Sequence, residues 1–228
     1  MARADVQDRR LLFGRWGDYK YRAFFSYSHA DAEWADKIEK RLKDFILPRE
    51  LELVSTEFGP PPRRMKPYFR DRRSQGVYHS LDEAIENALD ESAALIVICS
   101  PRSAQSPLVA EEIIHFIKSG RRERVFPIII DGEPHAASPD KECFPAPLKY
   151  ALDDQGKPDL SHPLQPIAAD ARPGKDGWPY AFHKLAAGML GVDADLISRR
   201  DLKREQWETR RRRAGFVIAA LGIVSVAL

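Results

Sequence analysis

Strand-like runs alternating with amphipathic helices predict an α/β protein, a doubly wound sheet of about five parallel strands. Two observations carry this. The run Ala94 to Cys99, ALIVIC, is wholly apolar and bounded by turn residues, as suits a parallel strand covered on both faces. In the segment after it, Val109, Ile113, Phe116 and Ile117 recur at i, i+4, i+7 and i+8 and define one face of a helix. At about 100° per residue, Glu111 points nearly opposite that face as a solvated charge, whereas Glu112 sits at its border and leans over the strand end.

In order along the chain, residues 1–20 read as a charged arm whose apolar cluster, Leu11, Leu12, Phe13 and Trp16, packs on the domain. Tyr21 to Ser28, YRAFFSYS, is aromatic-rich and predicts the first strand, with one of Phe24 and Phe25 in the core because successive side chains alternate. Asp31 offers an N-cap to a helix carrying Trp34, Ile38, Leu42 and Phe45, which Pro48 stops. Residues 47–66, with three successive prolines, form a long connection; Pro67 to Asp71 is a short second strand followed by the polar loop DRRSQGVYH. Ser80 and Glu83 compose a capping box for a helix with Leu81, Ile85 and Leu89 on its buried stripe. Arg124 to Ile130 is a fourth strand in which Pro127 marks a bulge. Residues 131–163 read as loop apart from a short helix near Pro147 to Leu152, Leu164 to Ala168 as a weak fifth strand, and Trp178 to Leu190 as a closing helix ended by Gly191.

The domain is thus assigned residues 21–191, followed by a charged connecting helix at 192–213 whose Leu196, Ile197, Leu202 and Trp207 are too sparse for a core. Ala214 to Leu228 contains no charge, but its 15 residues span only about 22 Å against the ~30 Å of a bilayer core. It is expected to be the start of a transmembrane helix that this sequence cuts short; Arg210 to Arg213 beside it would then place the domain at the cell membrane, facing the cytoplasm. The alternative is a terminal helix packed on another subunit. The formal net charge of +2 gives no global field for nucleic acid, and none is expected as a partner. Cys99 and Cys143 compose neither a disulfide framework nor a zinc pattern, and the N-terminus lacks the apolar region of a signal peptide.

Ligands of an open doubly wound sheet lie beyond the carboxyl ends of the strands, where the strand order reverses. With order 2-1-3-4-5 that crevice lies between the first and third strands, under the loops Ser26 to Asp31, Asp71 to Gly76 and Ser100 to Ser106, with Glu112 beyond. Hydroxyls, arginines, aromatics and one border carboxylate suit a ligand with phosphates and a sugar. G-x-S-x-G, a P-loop, G-x-G-x-x-G and metal-ligand histidine spacing are all absent, so triad hydrolase, classical NTPase and classical dehydrogenase readings fall away, and no metal is expected.

Three motifs in this order carry a family resemblance. FFSYSHAD at Phe24 to Asp31 resembles box 1 of TIR (Toll/interleukin-1 receptor) domains, YFRD at Tyr68 to Asp71 with its basic loop is similar to the start of box 2, and SPRSAQSPLVAEEI at Ser100 to Ile113 resembles a stretch common in bacterial-type TIR domains. The resemblance implies a flavodoxin-like TIR fold and, for many members, NAD+ glycohydrolase activity without a cofactor, NAD+ being the substrate. It also implies self-association through TIR domains, in signalling or defence. It assigns the catalytic glutamate to Glu112 and places Phe25, Ser26, Arg70, Asp71, Ser106 and Leu108 around the substrate. Leu108 stands where many relatives carry tryptophan, and DRRSQG lacks the Pro-Gly pair of receptor-type loops. Two other classes stay open: a non-enzymatic TIR adaptor, and a nucleoside or deoxyribosyl transferase-like enzyme that also sets a glutamate near a ribose.

Overall fold

The computed structural model describes residues 16–52, 54, 56, 58–71 and 83–198. Five parallel strands form the central sheet: β1 (Ala23–Ser26), β2 (Tyr68–Arg70), β3 (Leu95–Cys99), β4 (Val125–Ile129) and, after a small hairpin, β7 (Ala169–Asp170), in the order β2-β1-β3-β4-β7. This is the 2-1-3-4-5 arrangement named above, and its reversal lies between β1 and β3. The predicted fifth strand is displaced: 164–168 is irregular and only Ala169 and Asp170 pair, with Ile128 and Ile129.

Both faces of the sheet are covered. Alternation along β3 sends Leu95, Val97 and Cys99 to a layer with α3 (Glu83–Asp90) and α5 (Pro107–Lys118), and Ile96 and Ile98 to the opposite layer with α1 (Ala32–Asp44) and α7 (Gly177–Leu190). Phe24 and Phe25, at 0% and 1% exposure, divide the same way, so both are core rather than one of the pair. Each contributes about 1.5–3 kcal/mol by burial alone. On α3, Ile85 and Leu89 are buried as the stripe requires; Leu81 and the Ser80 cap lie outside the described residues. Gly191 closes α7 at φ 67°, the left-handed position that a C-terminal glycine supplies.

Three local expectations give way. Pro127 causes no bulge: β3 and β4 stay in register across it. Ile130 N donates to Cys99 O and Ala171 N to Ile129 O, so odd-numbered β4 residues turn their backbone toward the edge, and β7 begins only after Pro127. The missing N–H therefore falls where no strand asks for it. The Ser/Pro loop after β3 is two helical starts: Ser100 caps α4 (Pro101–Ala104) in a reciprocal box with Ser103, and Ser106 caps α5. Residues 131–163 hold the short helix α6 (Ala146–Lys149) and a hairpin of β5 (Tyr150–Leu152) with β6 (Pro158–Pro163); the earlier 47–66 connection holds the single turn α2 (Arg49–Glu52).

Packing runs past both ends of the 21–191 span. Trp16 is 3% exposed against Phe58, and the buried Arg124 guanidinium lies over the Trp16, Tyr19 and Phe58 rings. Leu11 to Phe13 lie outside the described residues. Ile197, at 1% exposure, joins the core, which corrects the expectation of an unpacked connector at that position. Among the described residues no helix is long and apolar enough to cross a membrane; Ala214 to Leu228 lies outside them.

Candidate functional site

A cavity of about 210 Å3 opens at the reversal point, under the loop after β1, the end of β2 and the start of α5. Glu112, Asp71, Ser106 and Leu108 line it together with Phe25, and so do Tyr27, Ser28 and His29. Ser26, fully buried at the end of β1, reaches Glu112 from below: its Oγ donates to Oε2 at 2.5 Å. The phase of α5 explains the placement. Val109 and Ile113 bury toward β3, which turns the next residue of the turn, Glu112, to the border above β1.

Burial pushes the Glu112 carboxyl up to about 8; the Ser26 hydrogen bond opposes this, and repulsion from Asp71 and Glu111 adds to it. With its carboxyl raised to about 8, Glu112 is mostly protonated near neutral pH. Glu111 is half-buried rather than fully solvated, and it is near enough to matter electrostatically.

The predicted residues fare differently. Ser106 lines the cavity and also accepts from Val109 N at 3.4 Å as the cap of α5. Leu108 forms an aliphatic part of the wall. Arg70 does not line the cavity. Its side chain, 7% exposed, is bound by Asp36 (2.5 Å) and Glu39 (3.2 Å) of α1 and donates from Nε to the Tyr27 hydroxyl at 2.9 Å. Arg72 and Arg73 lie outside the described residues. Asp31 makes no cap bond; buried at 3%, it accepts from Ser100 Oγ (2.6 Å) and Arg102 Nη1 (2.7 Å), tying the loop after β1 to the start of α4.

Tyr27 was missed. Its hydroxyl donates to Asp71 O at 2.9 Å while its ring faces the cavity and meets His29 edge-on at 5.9 Å. The available signal was its position, one residue past the carboxyl end of β1 at the reversal point. Among the described residues there is no group of three or more His, Cys, Asp or Glu able to hold a metal.

Five parallel strands in this order, with a cavity at the reversal point lined by Glu112 and Asp71, define an α/β domain of the doubly wound class. Comparison narrows the class. The profile of the TIR-domain family matches residues 63–163, from just before β2 through β6, a span that includes Glu112 but not Ser26. The chain is 28% identical over 221 residues, 91% of its own length, to the NAD(+) hydrolase ApTIR of an Actinoplanes species, and spans 28% of that protein. The TIR domains of the activated Roq1 resistosome recognising the effector XopQ are similar at 18% identity, a TM-score of 0.37, over 50% of this chain and 60% of that one.

Proposed function

We propose that this domain cleaves the bond between nicotinamide and ribose in NAD+, with Glu112 as the catalytic residue. The observation that carries the reading is a carboxyl raised in pKa by burial, set in the reversal-point cavity, held by Ser26 and close to the carboxylate of Asp71. The match to the TIR-domain profile and the similarity to a protein named as an NAD(+) hydrolase support the substrate.

In this reaction the bond between the ring nitrogen and C1′ of the ribose breaks, and its electron pair leaves with nicotinamide, which departs neutral. Positive charge develops on C1′ and the ribose ring oxygen. Water then adds to C1′ and loses a proton, giving ADP-ribose. A neutral leaving group needs no acid, so one carboxylate suffices, and it acts by stabilising the charge at the sugar and holding the ribose hydroxyls. The cationic nicotinamide ring entering beside Glu112 favours its ionised form, which drives the proton out as substrate binds. Ser26 holds that carboxylate, and Asp71 adds negative potential nearby.

Tethering through residues 214–228 and self-association belong to the same proposal and rest on the uncharged run beside Arg210 to Arg213 and on the TIR resemblance. The test is nicotinamide release from NAD+ by the purified domain concentrated on a surface. Release by wild type that disappears in Glu112→Ala supports the reading; equal release by both sinks it. One observation favours a non-enzymatic adaptor: about 210 Å3 is below the ~300–1,000 Å3 of usual small-molecule pockets. That alternative gives no release at any surface density.

A further inference from the structure

The arginine expected to meet substrate phosphates is already engaged elsewhere. Its Nη1 lies between two carboxylates of α1, and its Nε is spent on the Tyr27 hydroxyl. Glu39 is itself buried, with a side chain 8% exposed, and shares its two oxygens between Arg70 and Lys43 (2.6 Å), so drawing the guanidinium away would cost this carboxylate one of its two cations. Two flanking carboxylates also cancel the field that a phosphate would feel. What leaves the cluster is a directed hydrogen bond. Tyr27 accepts from Arg70 and donates its own O–H to the carbonyl of Asp71, the residue just past β2 that lines the cavity. Each bond polarises the next.

We propose that Arg70 is a positioning residue which acts through Tyr27 to fix the β2 lip of the cavity and the tilt of the Tyr27 ring. This rests on the NAD+-cleaving reading for its kinetic consequence, but the pairing itself is independent of it. The planar fork of arginine is required, because one donor must reach α1 while another reaches the tyrosine; a lysine ammonium has the charge without that spread.

The experiment uses the full chain carrying Tyr27→Phe, Arg70→Lys and both together, with NAD+ and the phosphate-free nicotinamide riboside as substrates. Tyr27→Phe keeps the ring and removes only the hydroxyl. Each single variant raises KM about tenfold for both substrates, the order of one lost hydrogen bond, with kcat within about twofold. The double variant is no worse than either single, since both break the same chain of bonds. Impairment by Arg70→Lys that is confined to NAD+ and absent with nicotinamide riboside would make Arg70 a phosphate contact and overturn the proposal, as would multiplying effects in the double variant. Hydrogen exchange of the 68–71 segment gives a readout without substrate. Faster exchange in each single variant, and no faster in the double, supports the pairing even if wild type cleaves neither substrate, an outcome that would refute only the functional reading. Unchanged exchange in both single variants overturns the pairing.

Discussion

Of two hollows compared among the described residues, the larger is the poorer in chemistry. At the amino end of β4, where β7 leaves Val125 to Pro127 uncovered, a groove of about 740 Å3 is walled by apolar side chains of β4, α7 and the 164–168 segment. Cations at its rim are engaged: Lys184 with Asp176 at 2.7 Å, and Arg122 with the Pro147 carbonyl at 3.3 Å. The reversal-point cavity is less than a third as large, yet it holds a carboxyl pushed to about 8, a second carboxylate and several hydroxyls. A site for bond cleavage is recognised by perturbed groups that converge, and volume alone marks only a place where packing stops.

That contrast can be broken in several ways. The largest expected effect is at Glu112: Glu112→Gln keeps the shape of the side chain and lowers kcat for NAD+ by about 10²-fold or more, measured as nicotinamide release. Wild-type-like turnover in that variant would erase the difference between the two hollows. Ser26→Ala follows, with about a tenfold loss at pH 7. The Ser26 bond holds the carboxyl down, so its removal moves the proton loss of Glu112 to higher pH. The rise of kcat/KM through about pH 8 in wild type should then shift upward, and an unshifted profile would separate Ser26 from the titration.

A smaller effect is on stability. The folded-state value for Glu112 lies above its ordinary 4.5, so between about 4.5 and 8 the folded chain keeps a proton that the unfolded chain has lost. This group's stabilising contribution is complete below 4.5 and falls away as pH rises toward 8. Glu112→Gln should therefore melt a few degrees above wild type at pH 8.5 and alike at pH 4, as followed by circular dichroism. The smallest effect belongs to the groove: Ile167→Ser, at a side chain 94% exposed, should change turnover by less than twofold and stability by no more than about 0.5 kcal/mol.

The strand order was legible because β1, β3 and β4 are apolar runs that must be buried on both faces, and helices of clear period lie between them. Glu112 was legible for a related reason, since the phase of α5 is set by Val109 and Ile113. The β5–β6 hairpin was not: β6 is Pro158–Pro163 and mostly exposed, so no alternation of buried and exposed residues announces it. The two-residue β7 is too short for any pattern. Arg70 was placed at the substrate by the family resemblance, and its actual partners are distant in sequence; Asp36 and Glu39, three apart on the face of α1, become visible as its counter-ions only once β2 lies beside that helix.

The clamp of Asp31 on Ser100 and Arg102 fixes more than a loop. It ties the loop after β1, part of which lines the cavity, to the start of α4 through a carboxylate with almost no solvent contact. The other side of the cavity is tied by a neutral hydrogen bond, from the Tyr27 hydroxyl to the Asp71 carbonyl, so an opening on that side stretches this bond while the ion pair of Asp31 stays closed.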